Sequence, residues 1–341
     1  MQTATVQEGL TAFIAEKTGA SVTVENLARL SGGASRETWS FDADIVREGA
    51  AMERLEGIFR CDPIPGQAVM AGRELEYHLL KAAWDNGVVV PEPLWDGDDR
   101  FGVKFFVMRR VPGETLGARM VRGYQYTHAR DITPGQLAES LARIHHVAAE
   151  KNPVLLGLPR PEPGKSPATL ELGHYEAAYR MAAHNPHPIF ELAFRWCHQN
   201  LPTAPETVLV HGDFRLGNFL FGEDGLHGII DWELAHWGDP MEDIAWLSVR
   251  SWRFGGTRPV AGIGDRESFY AAYEAAGGFP VDRDRVRFWE LFGNLRWGVI
   301  TITQADTYLS GRSKSVELAA IGRRTAETEW ELLNLLEGKG A

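Results

Sequence analysis

The sequence predicts an α+β chain of two unequal lobes, a small β-rich N-terminal one and a larger, mostly helical one. Three observations point there. The first hundred residues alternate short β-like runs with turns, long amphipathic helical patterns begin after Pro112-Gly113, and a brief return to β character interrupts them at 206–236. At 341 residues the chain is long for one domain and comfortable for two lobes. The boundary is expected at 109/110, giving an N-terminal nucleotide-binding lobe over 1–109 and a catalytic and substrate lobe over 110–341.

Val6, Leu10, Phe13 and Ile14 repeat at helical spacing and predict a packed amphipathic helix at the N-terminus. LARLSGGASRETWSF has the pattern of strand, glycine turn and strand. EGIFR at 56–60 and GVKFFVMRRV at 102–111 read as two further strands. Between them, residues 72–87 place Leu75, Leu79, Leu80 and Ala83 on one helical face. Gly87 is the stop, and Pro91 and Pro93 forbid continuation. In the second lobe a helix is expected over 133–150, with Thr133 as N-cap and Pro134 at the first helical position. Seven prolines make 151–188 an irregular insertion with one short helix at TLELGHYEAAYRMAA. ETVLVHGDF, NFLFGEDG and LHGIIDWE read as short strands around turns, and 265–337 is helical.

Composition narrows the function classes. Hydrophobic residues at 44% and charged residues at 24% describe an ordinary globular protein. A net charge of −11 argues against nucleic-acid or anionic-membrane partners. No apolar run approaches the roughly 20 residues that span a bilayer, and the N-terminus does not read as a signal peptide. Cys61 and Cys197 give neither a disulfide framework nor metal-ligand spacing, so a cytoplasmic location is expected.

The chemistry concentrates in two segments. In HGDFRLGN, Asp213 precedes Asn218 by five residues, the spacing of the protein-kinase catalytic loop. In IIDWE, Asp231 ends an apolar strand, and the GEDG turn between the segments predicts a hairpin that brings Asn218 and Asp231 to one end. Phosphoryl transfer from ATP needs a hard cation across the phosphate oxygens, and Mg²⁺ takes oxygen donors. Asp231 offers a carboxylate and Asn218 an amide carbonyl for that ion. Asp213 is placed to orient an acceptor hydroxyl and take its proton. His211 is expected to brace the loop.

HGDFRLGNFLF followed by IIDWELAHWGDPMEDIAWL resembles the aminoglycoside/choline-kinase-like phosphotransferases, which share the protein-kinase-like fold. It is closest to the branch related to the kinase-like domains of certain acyl-CoA dehydrogenases. The resemblance implies transfer of the ATP γ-phosphate to a hydroxyl of a small molecule, an aminoglycoside-like alcohol or a hydroxylated acyl or lipid-like metabolite. It implies that Ser31, Gly32, Gly33, Ala34 and Ser35 cover the nucleotide phosphates. Arg60 stands where many members carry a phosphate-contacting lysine. Glu76, or in the alternative register Glu74, would pair with it. Backbone groups near Arg109 and Val111 would bind adenine, and Asp239 and Asp243 would be structural.

Arginine in place of lysine keeps a second reading open, a non-catalytic nucleotide-binding or interaction module with a degenerate kinase site. A third, a metal-dependent hydrolase built on His211, Asp213, Asp231 and His236, has too few ligands for a two-metal centre.

Overall fold

The computed structural model describes residues 2–30, 37–61 and 73–339. The fold is a kinase-like α+β arrangement of two compact units. The first comprises Met1–Gly113 with Ala148–Gly157 and His227–Glu233, and the second the remainder.

In the first unit, α1 (Thr3–Thr18) buries the four residues that its periodicity singles out. Five antiparallel strands follow: β1 (Ser21–Arg29), β2 (Glu37–Val46), β3 (Glu53–Cys61), β4 (Pro93–Asp96) and β5 (Phe105–Arg109). Their order in the sheet is β1-β2-β3-β5-β4. Trp39, Phe41, Ala43 and Ile45 alternate along β2 and form one core with Phe13, Phe59, Phe105 and Val107. Phe41 lies opposite Gly57. A Cβ on Gly57 would come within 2.2 Å of the Phe41 ring, so the glycine makes room for that ring.

Helix α2 (Arg73–Asp85) buries Leu79, Leu80 and Ala83, and also Glu76. β4 was not legible because it opens with Pro93. A proline suits the start of an edge strand, where it removes no ladder donor. The strand expected over 102–111 shrinks to Phe105–Arg109, since Gly102 turns at φ +67°. Two segments distant in sequence attach here, the first through its backbone and the second through a side-chain amide. Ile229 N–H donates to the Val89 carbonyl at 2.8 Å, and the Asn152 amide donates to the His78 carbonyl at 3.2 Å.

The second unit is mostly helical. Among the described residues it contains α3 (Gly117–Arg122), α4 (Thr127–His145), α5 (Pro167–Ala182), α6 (Pro188–Gln199) and then short strands. β6 (Val208–Val210) pairs with β9 (His236–Gly238); β7 is Phe219–Gly222, and of β8 (Gly225–Ile229) the part from His227 on belongs to the first unit. Helices α7 (Pro240–Trp246), α8 (Arg266–Ala275), α9 (Arg283–Leu309), α10 (Val316–Gly322) and α11 (Thr325–Leu336) complete it.

Two expectations are corrected here. α4 begins at Thr127 rather than Thr133, so Pro134 lies inside the helix. Thr133 is buried there, and Pro134 packs near Gly264. The helix expected in the proline-rich segment is not short: α5 runs 16 residues, buries Tyr175 and Tyr179 and packs on α9.

Helix α9 is the axis of this unit, buried over much of Arg285–Ile302 and packed against α5, α6, α7, α10 and α11. Asp282 caps it, accepting from the Asp284 and Arg285 N–H groups. Asp239 caps α7 and accepts from Trp289 Nε1 at 2.9 Å and Arg285 Nε at 3.1 Å, so this buried carboxylate ties α7 to α9. Each unit holds one buried, unbridged cysteine, Cys61 in β3 and Cys197 in α6. No described helix is long and apolar enough to cross a membrane.

Candidate active site

Strand β3 presents Arg60 and helix α2 presents Glu76, and the two meet at 2.9 Å through Arg60 Nη1. The other terminal nitrogen, Nη2, donates to Asp231 Oδ1 at 3.1 Å. One guanidinium therefore holds two carboxylates, one buried and one a third exposed. A planar fork with separate donors can do this, whereas a lysine ammonium is a single point of charge. Asp231 itself has φ +69°, a left-handed backbone that aspartate tolerates better than most residues. The turn after β8 is thus bent at the residue whose carboxylate it presents.

In the second unit, the segment after β6 turns sharply at Gly212, where φ is +76°. A Cβ there would sit 2.2 Å from the Leu234 carbonyl oxygen, so only glycine fits. Asp243 of α7 fixes this turn, accepting from the His211 N–H at 2.7 Å and the Gly212 N–H at 3.0 Å. His145 Nε2 stands 3.4 Å from the same carboxylate. Burial opposes the Asp243 charge, but His145, His211 and the backbone donor outweigh it and hold the carboxyl below its ordinary range. His211 braces the loop as expected, its Nδ1 accepting from the Asp213 N–H at 3.2 Å.

Three donors converge on the Asp213 side chain. Arg215 Nε reaches Oδ1 at 2.9 Å, Trp246 Nε1 reaches the same oxygen at 2.8 Å, and Asn218 Nδ2 reaches Oδ2 at 2.6 Å. Burial pushes this carboxyl up, yet the Arg215 charge and hydrogen bond prevail and hold it below the usual carboxylate range. All three side-chain partners are donors, the arrangement that suits an ionised acid. Asn218 spends its amide nitrogen on Asp213, on the side chain and on the main-chain oxygen at 3.0 Å, which turns its carbonyl oxygen the other way.

Behind the loop lies a buried ionic network. Arg296 of α9 donates to the Gly212 carbonyl and to Glu242 Oε1, both at 2.8 Å, and its guanidinium stacks on Trp246 and Tyr175. Glu242 Oε2 stands 3.2 Å from His236 Nε2. Glu171, His236 and Glu242 are, among the described residues, the one group with the make-up of a metal-ligand set. His236 Nδ1 lies 2.9 Å from the Leu234 carbonyl, and Arg296 already shares Glu242. Burial works against a charged imidazole, but the two carboxylates overcome it and raise His236 to about 10. The arrangement is that of an imidazolium between carboxylates, so His236 is engaged in structure.

Ser31, Gly32, Gly33, Ala34 and Ser35 lie outside the described residues, as does the side chain of Glu74. Arg109 ends β5 with its N–H donating to the Glu92 carbonyl at 2.8 Å and its Nε to the Glu92 carboxylate at 2.7 Å. Val111 follows, half-buried. Sequence reasoning missed Trp246, Arg215 and Arg296. Arg215 was within the motif, and its stacking at 4.4 Å over Trp252 has no local signature. Arg296 lies 84 residues from Gly212 along the chain.

The profile of the APH phosphotransferase enzyme family matches residues 27–289 of this chain. Acyl-CoA dehydrogenase family member 11 of Rattus norvegicus is 31% identical over 179 residues, covering 51% of this chain and 22% of that protein. The chain thus spans about a quarter of the length of such curated relatives. Among solved structures, a Ralstonia eutropha protein assigned to the aminoglycoside phosphotransferases superposes with a TM-score of 0.73 at 23% identity, covering 95% of this chain and 97% of that one. The GDP and kanamycin complex of APH(2")-IIIa gives a TM-score of 0.63 at 18% identity, covering 94% and 98%.

Proposed function

The chain belongs to the APH phosphotransferase enzyme family, and from that premise we propose that it transfers the γ-phosphate of ATP to a hydroxyl of a small molecule. The observation that carries this reading is the Asp213 carboxylate, kept ionised in a buried loop by Arg215, Trp246 and Asn218. An acid so stabilised is a weak base toward a resting alcohol. It suits a loose transition state, in which the hydroxyl is oriented first and gives up its proton late, as the new bond forms.

Asn218 and Asp231 are the proposed oxygen ligands of Mg²⁺, which when bound would neutralise charge on the phosphates. The residues fit that ion by donor type, since the Asn218 amide nitrogen is committed to Asp213 and Asp231 is a partly exposed carboxylate. Arg60, oriented by Glu76, is the proposed phosphate clamp, and Ser31, Gly32, Gly33, Ala34 and Ser35 the proposed phosphate cover. Adenine would be read near Arg109 and Val111. The Arg109 N–H is committed to Glu92, so the reading would use the Arg109 carbonyl or the Val111 backbone. The acceptor is a hydroxylated acyl or lipid-like metabolite or an aminoglycoside-like alcohol. Buried, unbridged cysteines fit a reducing cytoplasm.

The test is thermal stability with Mg·ATP or Mg·GTP for the native chain and for Asp231→Ala. A nucleotide at a hundred times its dissociation constant adds about 2.7 kcal/mol of stability. A magnesium-dependent shift that Asp231→Ala abolishes is the expected result, and no shift with either nucleotide refutes the proposal. The engagement of both Arg60 terminal nitrogens by carboxylates favours a second reading, a nucleotide-binding module without turnover. Release of ADP coupled to phosphorylation of any alcohol would eliminate it.

A further inference from the structure

Within the second unit, the 3-10 turn Arg250–Arg253, the loop after it, α3 and α11 enclose a cavity of about 970 Å³. It belongs to the same neighbourhood as the Asp213 loop. Arg215, bonded to Asp213, stacks on Trp252 of that turn, and Phe254 of the cavity wall approaches Gly217.

The charge on this wall is opposite to that of the chain. Four arginines line the cavity, Arg122, Arg250, Arg253 and Arg324, against two glutamates, Glu327 and Glu331, in a protein of net charge −11. Each glutamate is matched: Arg324 stands 3.1 Å from Glu327, and Arg250 stands 3.5 Å from Glu331. Among the described residues Arg122 has no such match, and Arg253 has only a share in one. Among the described residues Arg122 bonds a neutral carbonyl, that of Phe254, at 3.1 Å.

Arg253 is the more telling of the two. Its side chain is 5% exposed, yet its hydrogen bonds go to the Ser248 carbonyl, from Nε at 3.1 Å and Nη2 at 2.9 Å. Nη1 makes none among the described residues. The nearest carboxylate, Glu290, lies 3.5 Å away and is held at 2.8 Å by Arg266. Arg253 and Arg266 thus share one buried carboxylate, and positive charge in excess of its counter-ions is costly to bury unless something supplies the rest. Burial accordingly presses on its protonated form. The rest of the wall includes Phe254, Trp330 and Ala118, which suit an apolar body.

We propose that this cavity is the acceptor subsite and that it selects an alcohol carrying its own carboxylate or phosphate on an apolar body, the anion held by Arg253 and Arg122. The inference rests on the phosphotransfer reading for its role, and on the cavity alone for its charge preference. Polycationic aminoglycosides are the wrong sign for this wall. Arg253 would fix the anion in a desolvated corner, where a charge-assisted fork is strongest. Arg122, exposed and screened, would contribute less.

Calorimetry on the full chain without nucleotide tests it with three probes of equal length: ω-hydroxydecanoate, decanediol and ω-aminodecanol. The carboxylate is expected to bind at least about tenfold more tightly than the diol, a margin of about 1.4 kcal/mol, with the amine weakest. Arg253→Met is expected to abolish the preference. Because that variant removes a buried side chain, Arg122→Gln is measured beside it and should reduce the preference about threefold or more with the fold intact. A diol or amine that binds as well as the carboxylate overturns the proposal, and so does a carboxylate preference that survives both substitutions. These binding readouts need no turnover. If the anion preference is found while Mg·ATP shows no thermal shift, the phosphotransfer reading fails and the anion pocket stands.

Discussion

At the scale of single side chains the proposed chemistry turns on Asp213 and Arg60. Trp246 Nε1 is a neutral donor aimed at Asp213, and a hydrogen bond to a charged group contributes about 1.5–3 kcal/mol. Trp246→Phe keeps the ring and deletes that donor. It should lower kcat by about tenfold or more while leaving the KM for nucleotide within about twofold, as steady-state kinetics would show. An equal loss in kcat and nucleotide affinity would assign Trp246 to packing alone. At Arg60 the prediction is a split between two substitutions. Arg60→Ala removes the guanidinium that stands 2.9 Å from the buried Glu76 carboxylate, and breaking a buried pair costs about 3–5 kcal/mol, measurable by denaturant unfolding. Arg60→Lys retains charge but loses the fork that spans Glu76 and Asp231. Its stability should fall less, and its KM for Mg·ATP should rise.

At the scale of elements, the loop from β6 depends on backbone geometry that no other residue type supplies. Gly212→Ala forces a Cβ against the Leu234 carbonyl at a left-handed φ. The expected loss is at least about 2 kcal/mol of stability together with loss of turnover. Much of this level was legible in the sequence. The α1 stripe, the strands through ETWSF and EGIFR and the short strands around HGDF and IIDW follow from apolar periodicity, which burial directly imposes. The start of α4 was not, because a Thr-Pro pair has the same local chemistry at a helix cap as inside a helix whose neighbours accommodate it. Asp213, Asn218 and Asp231 could be picked out as candidates because the proposed reaction would fix their type and spacing. Trp246, Arg253 and Arg296 could not. Trp246 and Arg296 act through partners that only the fold brings near, Arg253 is set apart only by its burial in a cavity wall, and each type is as common in cores and on surfaces as in sites.

At the scale of the whole molecule, the buried network around His236 makes stability depend on pH. The imidazole titrates near 6.5 when unfolded and at about 10 when folded, so the folded state binds the proton more tightly. Its contribution is complete below pH 6.5 and is lost as pH rises through about 10. Urea midpoints measured across that window should fall for the native chain and stay flatter for His236→Gln. A native curve parallel to that of the variant would show that the imidazole is not charged in the fold. The acidic surface acts at the same scale and in the opposite sense to the cavity. An anionic acceptor must cross a repelling field before it meets Arg253, so its association should speed up with added salt while its bound contact is little affected.

The two buried cysteines give the molecule an internal clock. Cys61 sits in the sheet of the first unit and Cys197 in a helix of the second. Burial raises the Cys197 thiol far above its ordinary value, so alkylation must wait for the chain around it to open. Labelling with iodoacetamide under mild denaturant, read by mass spectrometry, would time the opening of each unit separately in unmodified protein. If Mg·ATP slows the modification of one cysteine more than the other, that difference names the unit the nucleotide steadies.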